Sequence, residues 1–95
     1  ILIVPAQYTN PRLHHWEALL KSRAIENQVF LIGVNRVGGR NPDYFGHSMT
    51  IDPYGEILDE LSDKEDILIC EIDLSRIEQV RKSMPVLLER RPEVY

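Results

Sequence analysis

Apolar positions along this 95-residue chain fall into short continuous runs, alternating stretches and one helical stripe. Ile1 to Val4 is unbroken and rich in β-branched residues, as in a strand buried on both faces. Pro5 is expected to end it, because proline cannot donate to a ladder. Ala6 to Asn10 then reads as a strand-to-helix loop, with Asn10 a good N-cap and Pro11 a favoured first helical residue. From Leu13 the apolar residues Trp16, Leu20, Ala24 and Ile25 recur at helical spacing, with Leu19 widening the stripe, so a helix is predicted from Pro11 to Gln28. Val29 to Val34 is a second buried strand, and Gly38 to Pro42 a turn-rich loop. Ser48 to Ile51 is a short strand that Asp52-Pro53-Tyr54-Gly55 turns back into a hairpin partner, Glu56 to Leu61. Asp66 to Leu74 is the clearest remaining strand. Ser75 is placed to cap a helix running through Met84, with Ile77, Val80 and Met84 on one face. Pro85 stops it, and Arg90 to Tyr95 reads as an extended tail. Strands alternating with helices in this order predict an α/β or α+β fold.

Composition narrows the function classes. A chain of this length builds one small domain, and 43% hydrophobic with 27% charged residues is ordinary for a folded globular protein. The net charge of -4 provides no basic footprint, which argues against nucleic acid or an anionic membrane as partner. No apolar run approaches the roughly 20 residues that span a bilayer. One cysteine forms no internal disulfide and no paired-cysteine zinc site, so a reducing, cytoplasmic setting is expected. The opening on ILIVPA, in mid-strand and without an initiator methionine, reads as the C-terminal piece of a longer protein.

The stretch RLHHWEALLKSRAIENQ carries the residue types of acid–base chemistry, yet its spacing argues otherwise. His14 and His15 are adjacent, so on a helix they diverge by about 100° and do not ligate one metal together. No metal site is expected. Glu17 and Lys21 stand four apart in the favourable orientation, a pairing worth about 0.2–0.5 kcal/mol, and neutralise each other on an exposed face. Cys70 shares a strand face with Leu68 and Ile72, with no elbow or helix N-terminus to activate it, so a buried, inert thiol is expected. Arg23 and Glu26 lie beside the apolar stripe, where charge mixed with small residues suits a partner helix in an oligomer.

Six segments in order resemble the C-terminal part of the nitrilase, or carbon–nitrogen hydrolase, superfamily. They are IVPAQYT, HHWEALLKSRAIENQ, GVNRVG, GHSMTIDPYGEI, ILICEIDL and RKSMPVLLERRPEVY, and they leave no large part of Ile1 to Tyr95 unaccounted for. His15-Trp16, Gly46-His47-Ser48 before the Asp52-Pro53-Tyr54-Gly55 turn, and the ending from Pro85 to Tyr95 look most like the omega-amidase branch.

That resemblance implies an α/β fold, the C-terminal part of a four-layer α-β-β-α sandwich, with residues 1–95 belonging to a single hydrolase domain whose N-terminal part is absent. It implies hydrolysis of a small amide, such as the terminal amide of 2-oxoglutaramate, through a cysteine thioester with a glutamate proton shuttle and a lysine oxyanion donor. No cofactor is implied. All three catalytic residues belong to family segments preceding Ile1, so no catalytic residue is assigned within the chain. Neither Cys70, Glu17 nor Lys21 matches one. The family's pocket wall falls on Ala6, Gln7, Tyr8 and Thr9, with His15 and Trp16 at the pocket mouth and Asn35-Arg36 supporting from behind. The helix from Pro11 to Gln28 and the tail from Arg90 match elements that family members use to form a homodimer or higher oligomer. The alternatives are a non-catalytic fragment or assembly module, or a nitrilase or carbamoylase of the same superfamily.

Overall fold

A computed structural model describes residues 1–95. In chain order its elements are β1 (Leu2–Ala6), α1 (Leu13–Asn27), β2 (Leu31–Asn35), β3 (Val37–Gly38), β4 (Tyr44–Phe45), β5 (Met49–Ile51), β6 (Ile57–Glu60) and α2 (Ser75–Ser83). β1 and β2 pair in parallel, with α1 as the crossover that parallel strands require. β2 pairs antiparallel with β5, and β5 with β6, giving a four-stranded sheet in the order β1-β2-β5-β6. β3 and β4 form a separate two-stranded ribbon that the sequence did not announce.

Gly33 sets the distance between helix and sheet. A methyl group at this position would overlap Leu20 Cδ1 and stand 2.9 Å from Trp16 Cζ2, so α1 lies directly on the backbone of β2. Trp16, Leu20 and Ala24 thereby bury against Leu31, Phe45, Met49 and Ile51, with Val4, Ala6, Tyr8, Leu13 and Ile57 around them. This stripe is the one the helical spacing predicts, but Leu19 and Ile25 lie outside it and are about half exposed.

Other expectations are corrected. β1 includes Pro5, opposite Val34, because β1 is an edge strand of this sheet. Only its helix-side face is covered, so Ile1 and Ile3 are exposed rather than buried. Asn10 does not cap α1, which begins at Leu13. Its amide donates to Asp43 Oδ2 at 2.7 Å, and Asn10 and Pro11 lie in the turn closed by Arg12 N–H to the Thr9 carbonyl. At the other end, Gln28 takes the left-handed conformation (φ 51°). The N–H groups of Gln28 and Val29 bond back to the carbonyls of Ile25 and Ala24, a Schellman closure built without glycine.

Asp66 to Leu74 forms no strand, since no strand of this chain lies beside it to complete a ladder. The period-two pattern survives: Ile67 and Ile69 are 83% and 91% exposed, while Leu68, Cys70 and Ile72 face the sheet side away from α1. Between them and Ile32, Val34 and Thr50 lies a cavity of about 470 Å³. Ser75 begins α2 rather than capping it. Asp73 Oδ1 accepts the Ser75 N–H at 2.9 Å. Hydrogen bonds from the Ser75 side chain and backbone, aided by the nearby Arg76 charge, hold the Asp73 carboxyl below the usual aspartate value. The tail is not extended but folds into turns closed by Leu88 N–H to Pro85 and Val94 N–H to Arg91, again without a strand to pair with.

Two buried polar side chains fasten α2. Asp52, fully buried in the hairpin turn, accepts the N–H groups of Tyr54 and Glu56 on one oxygen and Arg76 Nη2 at 2.6 Å on the other. Gln28 donates its amide to the Met84 carbonyl at 2.7 Å.

Gly33→Ala is expected to destabilise the chain by about 1–3 kcal/mol through overpacking, read as a lowered urea midpoint with an unchanged slope. An unaltered midpoint would mean that the helix is not seated on β2 as described.

Candidate functional site

The parallel strands β1 and β2 end side by side at Ala6 and Asn35, and the loops that follow leave from the same edge. In open α/β sheets this carboxyl edge is where ligands bind. The loop after β1 is stitched to the loop after β2 along its length. Arg36 N–H donates to the Ala6 carbonyl at 3.2 Å and Asn10 N–H to the Asp43 carbonyl at 3.1 Å, while Gly46 N–H to the Arg36 carbonyl at 3.0 Å closes the second loop on itself. Thr9 bridges Tyr44, and the Arg36 guanidinium lies 4.4 Å from the centre of the Tyr44 ring.

Asn35 carries much of this connection. Its side-chain oxygen accepts the Tyr8 N–H at 2.7 Å, while its amide nitrogen donates to the carbonyls of Tyr8 (3.2 Å) and Gly46 (2.9 Å). Its backbone N–H donates to Ser48 Oγ at 3.0 Å, and that hydroxyl lies 3.3 Å from the Asn35 carbonyl. The carboxamide thus continues the β1–β2 ladder one residue beyond the point where the strands stop. Its residue type was visible as a polar side chain on the buried face of β2, in step with Leu31 and Gly33.

The predicted site residues occupy unequal positions. Ala6, Tyr8 and Thr9 are half-buried at the strand end, and Gln7 is exposed. The rings of Tyr8 and Trp16 meet at 5.4 Å, so the structure brings these two together. Trp16 is a core residue, 2% exposed, and its indole N–H donates to the His47 carbonyl at 2.8 Å. His15 is exposed, with its ring against that of His14. None of the six lines the 470 Å³ cavity, nor a smaller one of about 250 Å³ whose walls include Asn10, Asp43, His47 and Asp63. His47, given no role by sequence reasoning, places Nδ1 2.7 Å from Glu60 Oε1 and anchors Trp16 through its carbonyl.

The chemistry-bearing residues outside this edge do not assemble a reaction centre. Glu17 and Lys21 pair with each other at 2.6 Å, and Arg23 pairs with Glu26 at 2.8 Å on the exposed side of α1. Cys70 is half-buried against the larger cavity rather than fully enclosed, because its segment has no ladder to press it into the sheet. Its polar contact is the Glu71 carbonyl at 3.6 Å, which is no base. No three His, Cys, Asp or Glu side chains converge to hold a metal, and no helix is long and apolar enough to cross a membrane. What the edge offers is an immobilised wall of backbone, carboxamide and aromatic groups.

Replacing Trp16 with Phe removes both the indole donor to His47 and the ring atoms seated against Gly33. A loss of about 2–4 kcal/mol is expected from the cavity and the unpaired carbonyl together, measured by denaturant unfolding followed by circular dichroism.

Comparison with known proteins places this edge in context. A sequence model described as carbon-nitrogen hydrolase matches residues 1–82. The 2-oxoglutaramate amidase of Bacillus subtilis (strain 168) is 44% identical over 97 aligned residues, covering 100% of this chain and 37% of that protein. The crystal structure of the Caenorhabditis elegans NitFhit protein superposes with a TM-score of 0.85 at 38% identity, over 98% of this chain and 24% of the other. Saccharomyces cerevisiae Nit3, a member of branch 10 of the nitrilase superfamily, superposes with the same TM-score at 32% identity, over 94% and 34% of the two chains. The chain therefore spans between about a quarter and two fifths of the length of these proteins. With the family model covering most of its residues and the nitrilase fold shared across nearly its whole length, the chain belongs to the carbon–nitrogen hydrolase family.

Proposed function

We propose that this chain is the C-terminal segment of an amidase acting on a small carboxylate-bearing amide such as 2-oxoglutaramate, and that it supplies pocket wall and subunit interface rather than catalytic groups. The observation that carries the reading is the loop Ala6–Thr9, held rigidly at the carboxyl edge of β1 and β2 in a chain 44% identical to a 2-oxoglutaramate amidase. In the proposed reaction a thiolate upstream of Ile1 attacks the amide carbon. The tetrahedral oxyanion is stabilised by a lysine, and the C–N bond breaks as a glutamic acid protonates the departing ammonia. Water then adds to the thioester, and the glutamate takes its proton as the carboxylate product and the thiol are released.

Gln7 and Tyr8 are the groups of this segment proposed to face substrate, joined by Ala6 and Thr9. Trp16 contributes by backing the Tyr8 ring. His15 stands at the solvent side of the same edge. The exposed face of α1, with Leu19, Ile25 and the Arg23–Glu26 pair, is proposed to meet a second copy of the protein. The setting proposed is cytoplasmic. No metal or organic cofactor takes part in this scheme.

The full-length protein is expected to release ammonia from 2-oxoglutaramate or succinamate, and the 95-residue segment alone to release none. A full-length protein that forms no thioester and frees no ammonia from any amide or nitrile would defeat the proposal. Turnover by the isolated segment, lost on Cys70→Ala, would instead make it a self-sufficient thiol enzyme.

A second pair of variants separates chemistry from assembly. Glu17→Ala with Lys21→Ala is expected to leave turnover nearly intact, whereas Arg23→Ala with Glu26→Ala weakens the dimer in sedimentation. Loss of turnover in the first double variant, with assembly unchanged, would return α1 to the catalytic machinery.

A further inference from the structure

The connection at the strand ends assigns a specific task to a residue that touches no substrate in the scheme above. We infer that Asn35 is a positioning residue: its carboxamide fixes the Tyr8 peptide group, and with it the presentation of Gln7 and Tyr8 to the substrate. This rests on the reading of Ala6–Thr9 as pocket wall.

Three observations carry the inference. First, Asn35 is 5% exposed, and both ends of its carboxamide are engaged, with the oxygen on Tyr8 N–H and the nitrogen on two carbonyls. A buried amide satisfied in this way has one orientation, and swapping its oxygen and nitrogen would oppose like groups at all three contacts. Second, the contacts to Tyr8 take both the N–H and the C=O of one residue, which fixes the rotation of that residue's backbone as a strand neighbour would. Third, the Tyr8 ring lies 5.4 Å from the Trp16 ring, whose indole is tethered to the His47 carbonyl. Gly46, whose carbonyl accepts from Asn35, immediately precedes that residue. Backbone clamp and ring support therefore converge on Tyr8 from the end of β2 and from α1, leaving it little freedom to choose another pose.

The carboxamide acts at the middle of the loop. Beyond Asn35, its neighbours are held through Ala6, Thr9 and Asn10, on either side of Gln7 and Tyr8. Without the carboxamide, Tyr8 N–H loses its acceptor and the middle of the loop is left with weaker fastening, while both ends stay held.

The test uses the full-length protein with 2-oxoglutaramate as substrate. Asn35→Ala is expected to lower kcat/KM by about 10- to 100-fold, the scale of a small misplacement at a reacting centre. Hydrogen exchange in the peptide holding Tyr8 should quicken, while alkylation of the reactive thiol by iodoacetamide stays within about twofold of wild type. Asn35→Asp, which keeps an acceptor for Tyr8 N–H but sets its second oxygen against the Tyr8 and Gly46 carbonyls, should do no better than alanine, and circular dichroism of both variants guards against simple misfolding. The decisive arm adds Asn35→Ala to a protein already carrying Gln7→Ala and Tyr8→Ala. There it should cost less than about threefold, because the groups it positions are gone. A full cost in that background, or unchanged exchange and kcat/KM in the single variant, would overturn the positioning role while leaving the amidase reading intact. A wild-type protein that hydrolyses no amide would overturn both.

Discussion

The close seat of α1 on β2 is the constraint from which the remaining geometry follows. With no side chain at Gly33, Trp16 and Leu20 reach the sheet backbone itself, and the helix axis is drawn in as far as van der Waals contact allows. That depth carries Trp16 far enough inward to support Tyr8 on one side and to reach the His47 carbonyl on the other. A shallower helix would still bury an apolar stripe. It would not bring the loop after β1 and the loop after β2 into one rigid edge. Packing in this chain is thus upstream of the site: one missing methyl group decides where an aromatic ring can stand.

Buried polar groups then do what apolar packing cannot, which is to select one arrangement among many of similar burial. Asp52 ties its own turn and α2 together with a single carboxylate, and Gln28 both closes α1 and holds the end of α2. Asn35 does the same between the two strand-end loops. Each is costly to bury without partners, so alternative placements of α2 or of the loops, lacking those partners, are disfavoured by the desolvation they would incur. These side chains sit at junctions between elements, where a ladder or helix has ended and backbone groups need a new partner.

The sequence made much of the fold legible where a pattern repeats. The β1–α1–β2 unit, the Trp16–Leu20–Ala24 stripe and the Asp52–Gly55 turn can all be read from spacing and turn residues, because the buried runs, the helical period and the turn chemistry agree there. Resemblance to the carbon–nitrogen hydrolases, carried by motifs rather than by periodicity, located the family. What stayed hidden depends on a neighbour distant in sequence. Asp66 to Leu74 has the alternation of a strand, but strand formation needs a partner that periodicity does not name. Asn10 has the chemistry of a cap but meets Asp43, 33 residues away, and leaves the helix to start later. Leu19 fits a helical stripe and is nonetheless half exposed, because the sheet beneath α1 is narrower than the stripe. At the site, the wall residues came from resemblance. Asn35's role became specific only when its oxygen and nitrogen were placed, and no spacing rule gives their direction.

The segment from Asp66 to Leu74 has a consequence for the 95-residue piece taken by itself. Its backbone lies outside every ladder, and two isoleucines stand almost fully in solvent. An extended apolar stretch with unpaired amides is a template for β-addition, by which like segments of separate molecules associate. Here Asp66, Glu71 and Asp73 interrupt it, so in-register stacking would set carboxylate against carboxylate at three positions. These acidic residues make the stretch a poor seed for the stacking of like chains.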